Sequence, residues 1–259
     1  MAEVEVEVMD RLAVLTINRP ESRNAIGLRT IGELENCLDD IFSSTVEVLV
    51  VTGSGERAFV SGGDLRELAT LLDFDAAKSM ATRMRRVLDR LAECKVPVIA
   101  ALNGHALGGG AEVAIAADIR IAASDVRIGF NQVRLGIIPA WGGTERLAEV
   151  VGRSKALMLV ATGQIIGAAD AERMGLVDLV VDRTEFEVAW RTMARAIADL
   201  ASGSGRSIKR AVGASRPNSH RHSEDEAVTD FARLWIADAH WQAVEAMQTD
   251  GGRKPSPPS

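Results

Sequence analysis

The residues with the clearest chemical potential surround a run of three glycines. Gly108, Gly109 and Gly110 follow an apolar run and precede an alanine-rich segment of helix-forming composition. Because glycine has no side chain, the backbone N–H groups at the start of this helix stay accessible. The positive end of the helix dipole favours an anion at that point.

Glu112 lies in the first turn of the same predicted helix. Its carboxylate has two interpretations: an acid that compensates the dipole of a surface helix, or a catalytic acid beside an anion site. The alanine, valine and isoleucine residues around it predict a buried helix, in which a lone acid needs a reason to be present. This setting favours the catalytic interpretation.

A second glycine turn, Ser61-Gly62-Gly63-Asp64, also joins a predicted strand to a predicted helix, which we expect Asp64 to cap. If the two turns face each other, one N–H group from each could hold a carbonyl oxygen as it becomes an enolate or a tetrahedral anion. In acyl-transfer enzymes one such donor contributes about 2.7–4 kcal/mol. The alternative is two ordinary tight turns, and the turn residues alone leave both interpretations open.

A third glycine segment, residues 53–58, matches the dinucleotide-binding pattern G-x-G-x-x-A after a strand. That pattern requires a helix immediately afterwards, so that a pyrophosphate can lie at its N-terminus. Here a short extended run and the turn at Gly62 follow instead. The segment is therefore predicted to be a tight loop, and a dinucleotide site is not expected.

The composition limits the class of protein. The chain has 259 residues and a net charge of −6, which suits one globular domain with an appendage and does not suit nucleic-acid binding. Cys37 and Cys94 are far apart and have no metal-ligand pattern, so we expect a reducing compartment and no metal. The N-terminus alternates glutamate with valine, unlike a signal peptide, and no apolar run is long enough to span a bilayer. These features predict a cytoplasmic protein.

The elements that must position these residues alternate between strand and helix over most of the chain. We predict strands at 4–8, 12–17, 46–52, 96–102, 118–122, 126–128 and 177–181, and helices at 30–42, 64–72, 74–94, 145–151, 155–161 and 168–174. Thr144 is the expected cap of the helix at 145–151. On the helix at 74–94, the arginines at 83, 85, 86 and 90 are expected to form a solvated face.

From Phe186 onwards the pattern is only helical, and it ends in a predicted long helix at 227–247 that carries Trp235 and Trp241. Two tryptophans outside the α/β part predict an apolar face that docks on the same subunit or on a neighbour. The predicted division is a core at residues 1–195 and a C-terminal helical segment at 196–259.

Four motifs together resemble the enoyl-CoA hydratase/isomerase (crotonase) superfamily, and they cover nearly the whole chain in order. They are Asn18-Arg19-Pro20-Glu21-x-x-Asn24-Ala25, Phe59-Val60-Ser61-Gly62-Gly63-Asp64-Leu65, Asn103-Gly104-x-Ala106-x-Gly108-Gly109-Gly110-Ala111-Glu112 and Gly136-Ile137-Ile138-Pro139-x-x-Gly142-Gly143-Thr144-x-Arg146-Leu147. The resemblance implies an α/β fold, a spiral of ββα units shared with Clp-type proteases, and a C-terminal helical trimerisation segment. It implies homotrimers or hexamers built as dimers of trimers, and an acyl-CoA thioester ligand whose coenzyme A belongs to the substrate, without a separate cofactor.

The resemblance also implies roles for individual residues. The N–H groups of Gly63 and Gly109 would form an oxyanion hole, and Glu112 matches the first of two catalytic glutamates in the hydratases. The predicted binding residues for the substrate and its coenzyme A are Arg23, Ala25, Ser61, Gly62, Asp64, Leu65, Gly108, Pro139 and Trp141. His105 stands where the family has an uncharged residue, so we interpret it as structural.

The position of the second glutamate is where this chain departs from the family, because it holds Gln132. Hydration of an enoyl thioester needs a base for water and a proton for the α-carbon, and an amide exchanges no proton near neutral pH. One glutamate could still move the water's proton. Together with Gly110-Ala111-Glu112, the motif at Pro139 to Thr144 also resembles the branch that decarboxylates ethylmalonyl- or methylmalonyl-CoA, which needs one acid.

Three function hypotheses follow. The first is an acyl-CoA lyase of the hydratase type acting through Gly63, Gly109, Glu112 and Gln132, with decarboxylation as the alternative reaction. The second, a Clp-type serine protease, needs a serine beside the glycine turn, where Gly110 and Ala111 have no hydroxyl. The third is a CoA-ester-binding protein with weak catalysis. The sequence leaves the acyl chain open.

Overall fold

The structure, a computed structural model, describes residues 2–200, 203–213 and 223–250. Its strands are β1 (Val4–Met9), β2 (Leu12–Ile17), β3 (Val48–Gly53), β4 (Ala58–Val60), β5 (Val98–Leu102), β6 (His105–Leu107), β7 (Ile119–Ala123), β8 (Arg127–Gly129), β9 (Ile165–Gly167) and β10 (Leu179–Val181). Within the described ranges, no helix is both long enough and apolar enough to cross a lipid bilayer.

The α-helices alternate with these strands and then follow them. They are α1 (Leu28–Ser43), α2 (Leu65–Leu68), α3 (Phe74–Ala92), α4 (Gly109–Ala116), α5 (Gly143–Val151), α6 (Arg153–Thr162), α7 (Ala168–Met174), α8 (Phe186–Ala198), α9 (Ser204–Gly213), α10 (Ser223–Trp235) and α11 (Asp238–Asp250). Two 3-10 helical turns occupy Pro20–Ser22 and Gln132–Leu135.

The larger sheet has the strand order β1-β2-β3-β5-β7-β10. Only β1 and β2 pair antiparallel, and the other neighbours are parallel. β3 and β5 are rich in Val, Leu, Ile and Ala, and all of their residues except Thr52 are buried, as expected for parallel strands covered on both faces. The predicted α/β class is therefore confirmed.

The smaller sheet, in the order β4-β6-β8-β9, positions the two glycine turns. β4 and β6 pair parallel, with Val60 opposite Ala106, so their carboxyl ends lie at the same edge. The turn at Gly62 and Gly63 leaves β4, and the turn at Gly108 leaves β6. Because neighbouring parallel strands end side by side, the two turns meet. The loop at residues 53–58 leads into β4 and not into a helix, as predicted.

The helix predicted at 64–72 is shorter than expected because a second cap starts a new helix directly after it. Asp64 caps α2 as predicted, by accepting bonds from the backbone N–H groups of Arg66 and Glu67. α2 ends at Leu68, however, and Asp73 accepts from the Ala76 N–H and starts α3. Leu72 lies between the two helices and is 71% exposed, so it is not part of the predicted apolar face.

At α5 the predicted cap is wrong. Gly142, with a φ of +89°, precedes the helix, and Thr144 lies within it. The C-terminal helix predicted at 227–247 is also wrong, because residues 236 and 237 separate α10 from α11. This break gathers Trp235, His240 and Trp241 into one aromatic cluster.

The tryptophan face docks on its own chain. α10 packs against α3, and the buried Trp235 donates from Nε1 to the Leu71 carbonyl at 2.9 Å. Residues 201–202, 214–222 and 251–259 of the predicted C-terminal segment lie outside the described residues, and α8 crosses the predicted boundary at residue 195. The division into a core and a helical segment stays a prediction.

The solvated arginine face predicted on α3 is wrong in part. Arg85 is 8% exposed and reaches Glu145 on α5, with 3.0 Å between Nη1 and Oε1. Arg83 instead bonds Glu35 on α1 near the surface, at 2.7 Å. The basic residues of α3 therefore connect it to helices on both sides.

We expect Arg85→Ala to lower the free energy of unfolding by roughly 3–5 kcal/mol, because it leaves the Glu145 carboxylate unpaired in a nearly buried site. Arg83→Ala on the same helix is the matched control and should cost about 0–1 kcal/mol, because its pair with Glu35 is 38% and 36% exposed. Urea unfolding of both variants measures the difference. Equal losses would contradict the buried ion pair.

Candidate active site

A cavity of about 580 Å³ opens at the edge where the two glycine turns meet. Twelve of the thirteen predicted site residues line it: Arg23, Ala25, Ser61, Gly62, Gly63, Asp64, Leu65, Gly108, Gly109, Glu112, Gln132 and Trp141. Pro139 is the exception. Its neighbours Ile138 and Ala140 face the cavity and it does not, so its predicted contact with substrate is not supported.

The two glycine turns present open backbone donors to this cavity. A Cβ built on Gly62 would lie 3.2 Å from the Leu107 carbonyl oxygen and 3.4 Å from the Gly109 nitrogen, so the turns are in contact. Gly62 has a φ of +108° and Gly108 a φ of +56°, which favour glycine. Within the described part of the chain, the N–H groups of Gly63 and Gly109 donate to no protein acceptor. They can therefore bind an oxygen of a ligand.

The loop at residues 18–25 fixes the first turn. Arg19 pairs with Asp64 at 2.8 Å and also donates to the Ala25 carbonyl. Asn24 is fully buried and donates from Nδ2 to the Ala58 carbonyl at the start of β4. The motif at residues 18–25 thus makes polar contacts that hold the backbone around the Gly63 amide.

Glu112 lies in the first turn of α4 and is 2% exposed. Its Oε2 accepts from the backbone N–H groups of Trp141 at 2.8 Å and Gly143 at 2.9 Å. Its Oε1 accepts from Gln132 Nε2 at 2.9 Å. A Cβ at Gly143 would overlap the Glu112 side chain, which explains the glycine there. Three donors therefore orient the carboxyl group.

Burial raises the pKa of Glu112 from its ordinary value of 4.5 to about 7. The bonds from Gly143 and Trp141 favour the charged form and limit this rise, while the nearby Glu145 carboxylate adds to it. A carboxyl group with this pKa can both accept and donate a proton near neutral pH. Because Glu112 is buried, it is not an acid on the surface of a helix that compensates the helix dipole, which was the first of its two interpretations.

Gln132 approaches Glu112 from the 3-10 turn at Gln132–Leu135. Within the described residues its Oε1 atom is buried and has no hydrogen-bond partner. An unpaired buried acceptor costs free energy unless a ligand or a water molecule satisfies it. Gln132 therefore lines the cavity with a buried, unpaired acceptor, while its Nε2 atom holds Glu112.

Trp141 contributes to the site in two ways. Its backbone N–H binds Glu112, and its carbonyl accepts from Arg146, which also pairs with Asp89. Its indole ring lies against Gly109, where an added Cβ would overlap it. The ring therefore bounds the cavity beside one of the open donors.

The apolar wall includes residues that sequence analysis missed. Phe231 and Trp235 from α10 and Met247 from α11 line the same cavity. The two tryptophans predicted a docking face. No pattern in the local sequence, however, connects α10 and α11 with the glycine turn at Gly108, more than a hundred residues earlier. Arg66 in α2, also missed, lies along this cavity with Arg23. His105 is exposed and its Nδ1 accepts from the Arg127 N–H, as suits a structural residue.

Comparison with known proteins gives a consistent result. A family model described as enoyl-CoA hydratase/isomerase matches residues 7–239. A short-chain-enoyl-CoA hydratase of Clostridium acetobutylicum is 39% identical over 210 residues, which cover 81% of this chain and 80% of the relative. A crotonyl-CoA hydratase of Syntrophomonas wolfei is 40% identical over 183 residues, covering 70% of this chain and 69% of the relative.

Solved structures agree with these relatives. An enoyl-CoA hydratase from Bacillus anthracis superposes with a TM-score of 0.80 at 30% identity and covers 96% of each chain. An enoyl-CoA hydratase/isomerase from Xanthobacter autotrophicus has a TM-score of 0.87 at 26% identity, and the match covers 96% of this chain and 94% of that structure.

The raised pKa of Glu112 predicts a pH-dependent stability. Between pH 4.5 and about 7 the folded protein keeps a proton that the unfolded chain releases, so the free energy of unfolding falls as the pH rises through this window. Relative to Glu112→Gln, which does not titrate, the wild type should lose at most about 1.4 kcal/mol per pH unit there. Urea unfolding of both proteins from pH 4 to pH 8 checks this, and parallel curves would contradict it.

Proposed function

The chain belongs to the enoyl-CoA hydratase/isomerase family, and from that premise we propose that it adds water to enoyl-CoA thioesters with Glu112 as its single acid–base group. It is thus an acyl-CoA enzyme of the hydro-lyase type. The observation that carries the proposal is one buried carboxyl group, with a pKa raised to about 7, in the same cavity as the open amides of Gly63 and Gly109.

The reaction needs two proton movements and a place for negative charge. The thioester oxygen accepts from the N–H groups of Gly63 and Gly109. The Glu112 carboxylate takes a proton from water while the water oxygen bonds to the β-carbon, and the electrons of the double bond move onto the thioester as an enolate. The Glu112 acid then gives that proton to the α-carbon, which regenerates the carboxylate and completes the addition of water.

Gln132 supports the one-acid scheme without exchanging protons. Its Nε2 donates to Glu112 Oε1, and its buried, unpartnered Oε1 would accept the second hydrogen of the attacking water once that water enters beside Glu112. The amide thus fixes the water between itself and the acid. Orientation of this kind lowers the barrier because the reacting groups need not be ordered again in the transition state.

Decarboxylation of a malonyl-type thioester is the second candidate, and Gln132 in place of a second carboxyl group favours it. Loss of carbon dioxide breaks the bond between the α-carbon and the carboxylate, and its electron pair forms the same thioester enolate. The two glycine amides would hold this enolate, and Glu112 would protonate its α-carbon. No base for water is needed.

The substrate brings its own coenzyme A, so the proposed reaction uses no separate cofactor. Arg23 and Arg66 line the cavity that contains Gly63 and Glu112. Guanidinium groups bind phosphate oxygens well, which supports an acyl-CoA ester as the ligand.

We further propose a homotrimer, alone or paired into a hexamer. Several large apolar side chains stay exposed on the helices that follow the site: Leu157, Met158, Val188 and Ile208. Contact with neighbouring copies would remove this apolar surface from water.

The proposed reaction is tested by giving the protein crotonyl-CoA, a longer enoyl-CoA and ethylmalonyl-CoA and identifying the products by mass. We expect hydroxyacyl products from the enoyl esters, and Glu112→Gln should lower kcat by about 10²–10⁴-fold because the acid–base group is lost. Calorimetry with butyryl-CoA should show nearly unchanged binding by that variant.

Exposed Glu93→Gln, distant in sequence from every lining residue, is the control and should keep full activity. Butyryl-CoA formed from ethylmalonyl-CoA, without hydration of crotonyl-CoA, would replace the hydratase proposal by the decarboxylase. Binding without any product would leave a CoA-ester-binding protein, and unchanged turnover by Glu112→Gln would remove Glu112 from the mechanism.

Light scattering of the purified protein should give three or six times the 27.7 kDa mass of one chain. Leu157→Glu places a charge on the exposed apolar surface and should shift this mass downwards, because a buried unpaired charge opposes association. A wild-type mass of a single chain would contradict the proposed assembly.

A further inference from the structure

The helix α11 contacts the turn that carries Gln132. His240, near the start of α11, is fully buried, and its Nδ1 lies 2.6 Å from the carbonyl oxygen of Leu135. Leu135 is the last residue of the 3-10 turn that begins at Gln132. His240 is thus hydrogen-bonded to the short 3-10 turn that carries Gln132, the side-chain partner of Glu112.

The chemistry of this contact fixes the state of the ring. A carbonyl oxygen only accepts, so Nδ1 carries the hydrogen and donates it, and in the neutral ring Nε2 is then the bare nitrogen. Within the described residues Nε2 is buried and has no partner. Burial also lowers the pKa of His240, which favours this neutral form.

Packing alone does not account for a histidine at this position. The ring centroid lies 4.6 Å from that of Trp235 and 4.6 Å from that of Trp241. An apolar side chain could fill the space between two indole rings without a buried unpaired nitrogen, which costs free energy. The feature that an apolar side chain lacks is the hydrogen bond to Leu135.

The backbone of α11 holds the same point. Gly136, the residue after the turn, has a φ of +70°, and a Cβ built there would lie 3.5 Å from the Cα of His240. The end of the turn is therefore fixed twice, by the ring of His240 and by the close approach of its backbone. Trp235, packed on this ring, lines the cavity itself.

We propose that His240 is a positioning residue for the reaction: by holding the Leu135 carbonyl it orients the 3-10 turn, so that Gln132 Nε2 reaches Glu112 Oε1. The C-terminal helices then act on the chemistry as well as on the shape of the cavity. This inference rests on the proposed function, because the contact it preserves is the one between Gln132 and the proposed acid.

Two substitutions separate positioning from packing. Asparagine carries an amide nitrogen near the place of Nδ1, so His240→Asn can still donate to the Leu135 carbonyl, whereas His240→Leu fills the space without a donor. With crotonyl-CoA we expect kcat of His240→Leu to fall about tenfold, the factor that corresponds to one lost neutral hydrogen bond, with KM within about twofold. His240→Asn should recover most of kcat.

Stability to urea, measured beside kcat, distinguishes a positioning role from a purely structural one. We expect His240→Leu to be at least as stable to urea as His240→Asn, so that activity and stability change in opposite order. Wild-type kcat in His240→Leu, or an equal loss in a folded His240→Asn, would overturn the proposal. If His240→Leu does not fold, His240→Met replaces it, because methionine is flexible, apolar and also has no hydrogen-bond donor.

The proposed function and this inference fail in different ways. A wild type that hydrates no enoyl-CoA contradicts the proposed function. The positioning role is then decided by crystal structures of the wild type and the donor-less variant. We expect the distance between Gln132 Nε2 and Glu112 Oε1, 2.9 Å here, to exceed hydrogen-bond reach in the variant. An unchanged distance would overturn the inference.

Discussion

The contact between two stretches of backbone is the constraint on which the rest of the site depends. Parallel pairing of β4 and β6 brings their exits together, and their close approach needs glycine at Gly62, which faces Leu107 and Gly109, and at Gly110, where a Cβ would overlap the Val60 carbonyl. Their closeness leaves two amides facing the cavity with no protein acceptor within the described chain. The loop from Arg19 to Ala25 and its ion pair with Asp64 keep this arrangement in place.

The pKa of Glu112 is set mainly by burial and by backbone donors. Removal of Glu112 from water disfavours its charged form, whereas the amides of Trp141 and Gly143 favour it, and the balance gives a pKa of about 7. Because Gln132 has no proton to exchange, one group must both take and return the proton in the proposed reaction. A strongly acidic carboxyl group could take part in the first step only poorly.

Motifs that depend on local backbone were predictable from the sequence. The glycine turns, the cap at Asp64 and the buried helix around Glu112 follow from residue types within a few positions, and the structure contains each of them. The break between α10 and α11 was not predictable, because the helical pattern continues through residues 236 and 237. The contacts of Phe231 and Trp235 with the cavity, and of His240 with Leu135, depend on tertiary packing alone. Arg85 was misread for the same reason, since its partner Glu145 is 60 positions away.

At Trp141 the main chain and the side chain have separate roles in the site. Its main chain holds the carboxyl group of Glu112, and any amino acid except proline offers the same N–H group. Its side chain only fills space next to Gly109. Substitution of residue 141 can therefore alter the shape of the cavity beside Gly109 while Glu112 keeps its backbone donor, so specificity and acid–base chemistry are separable at this position.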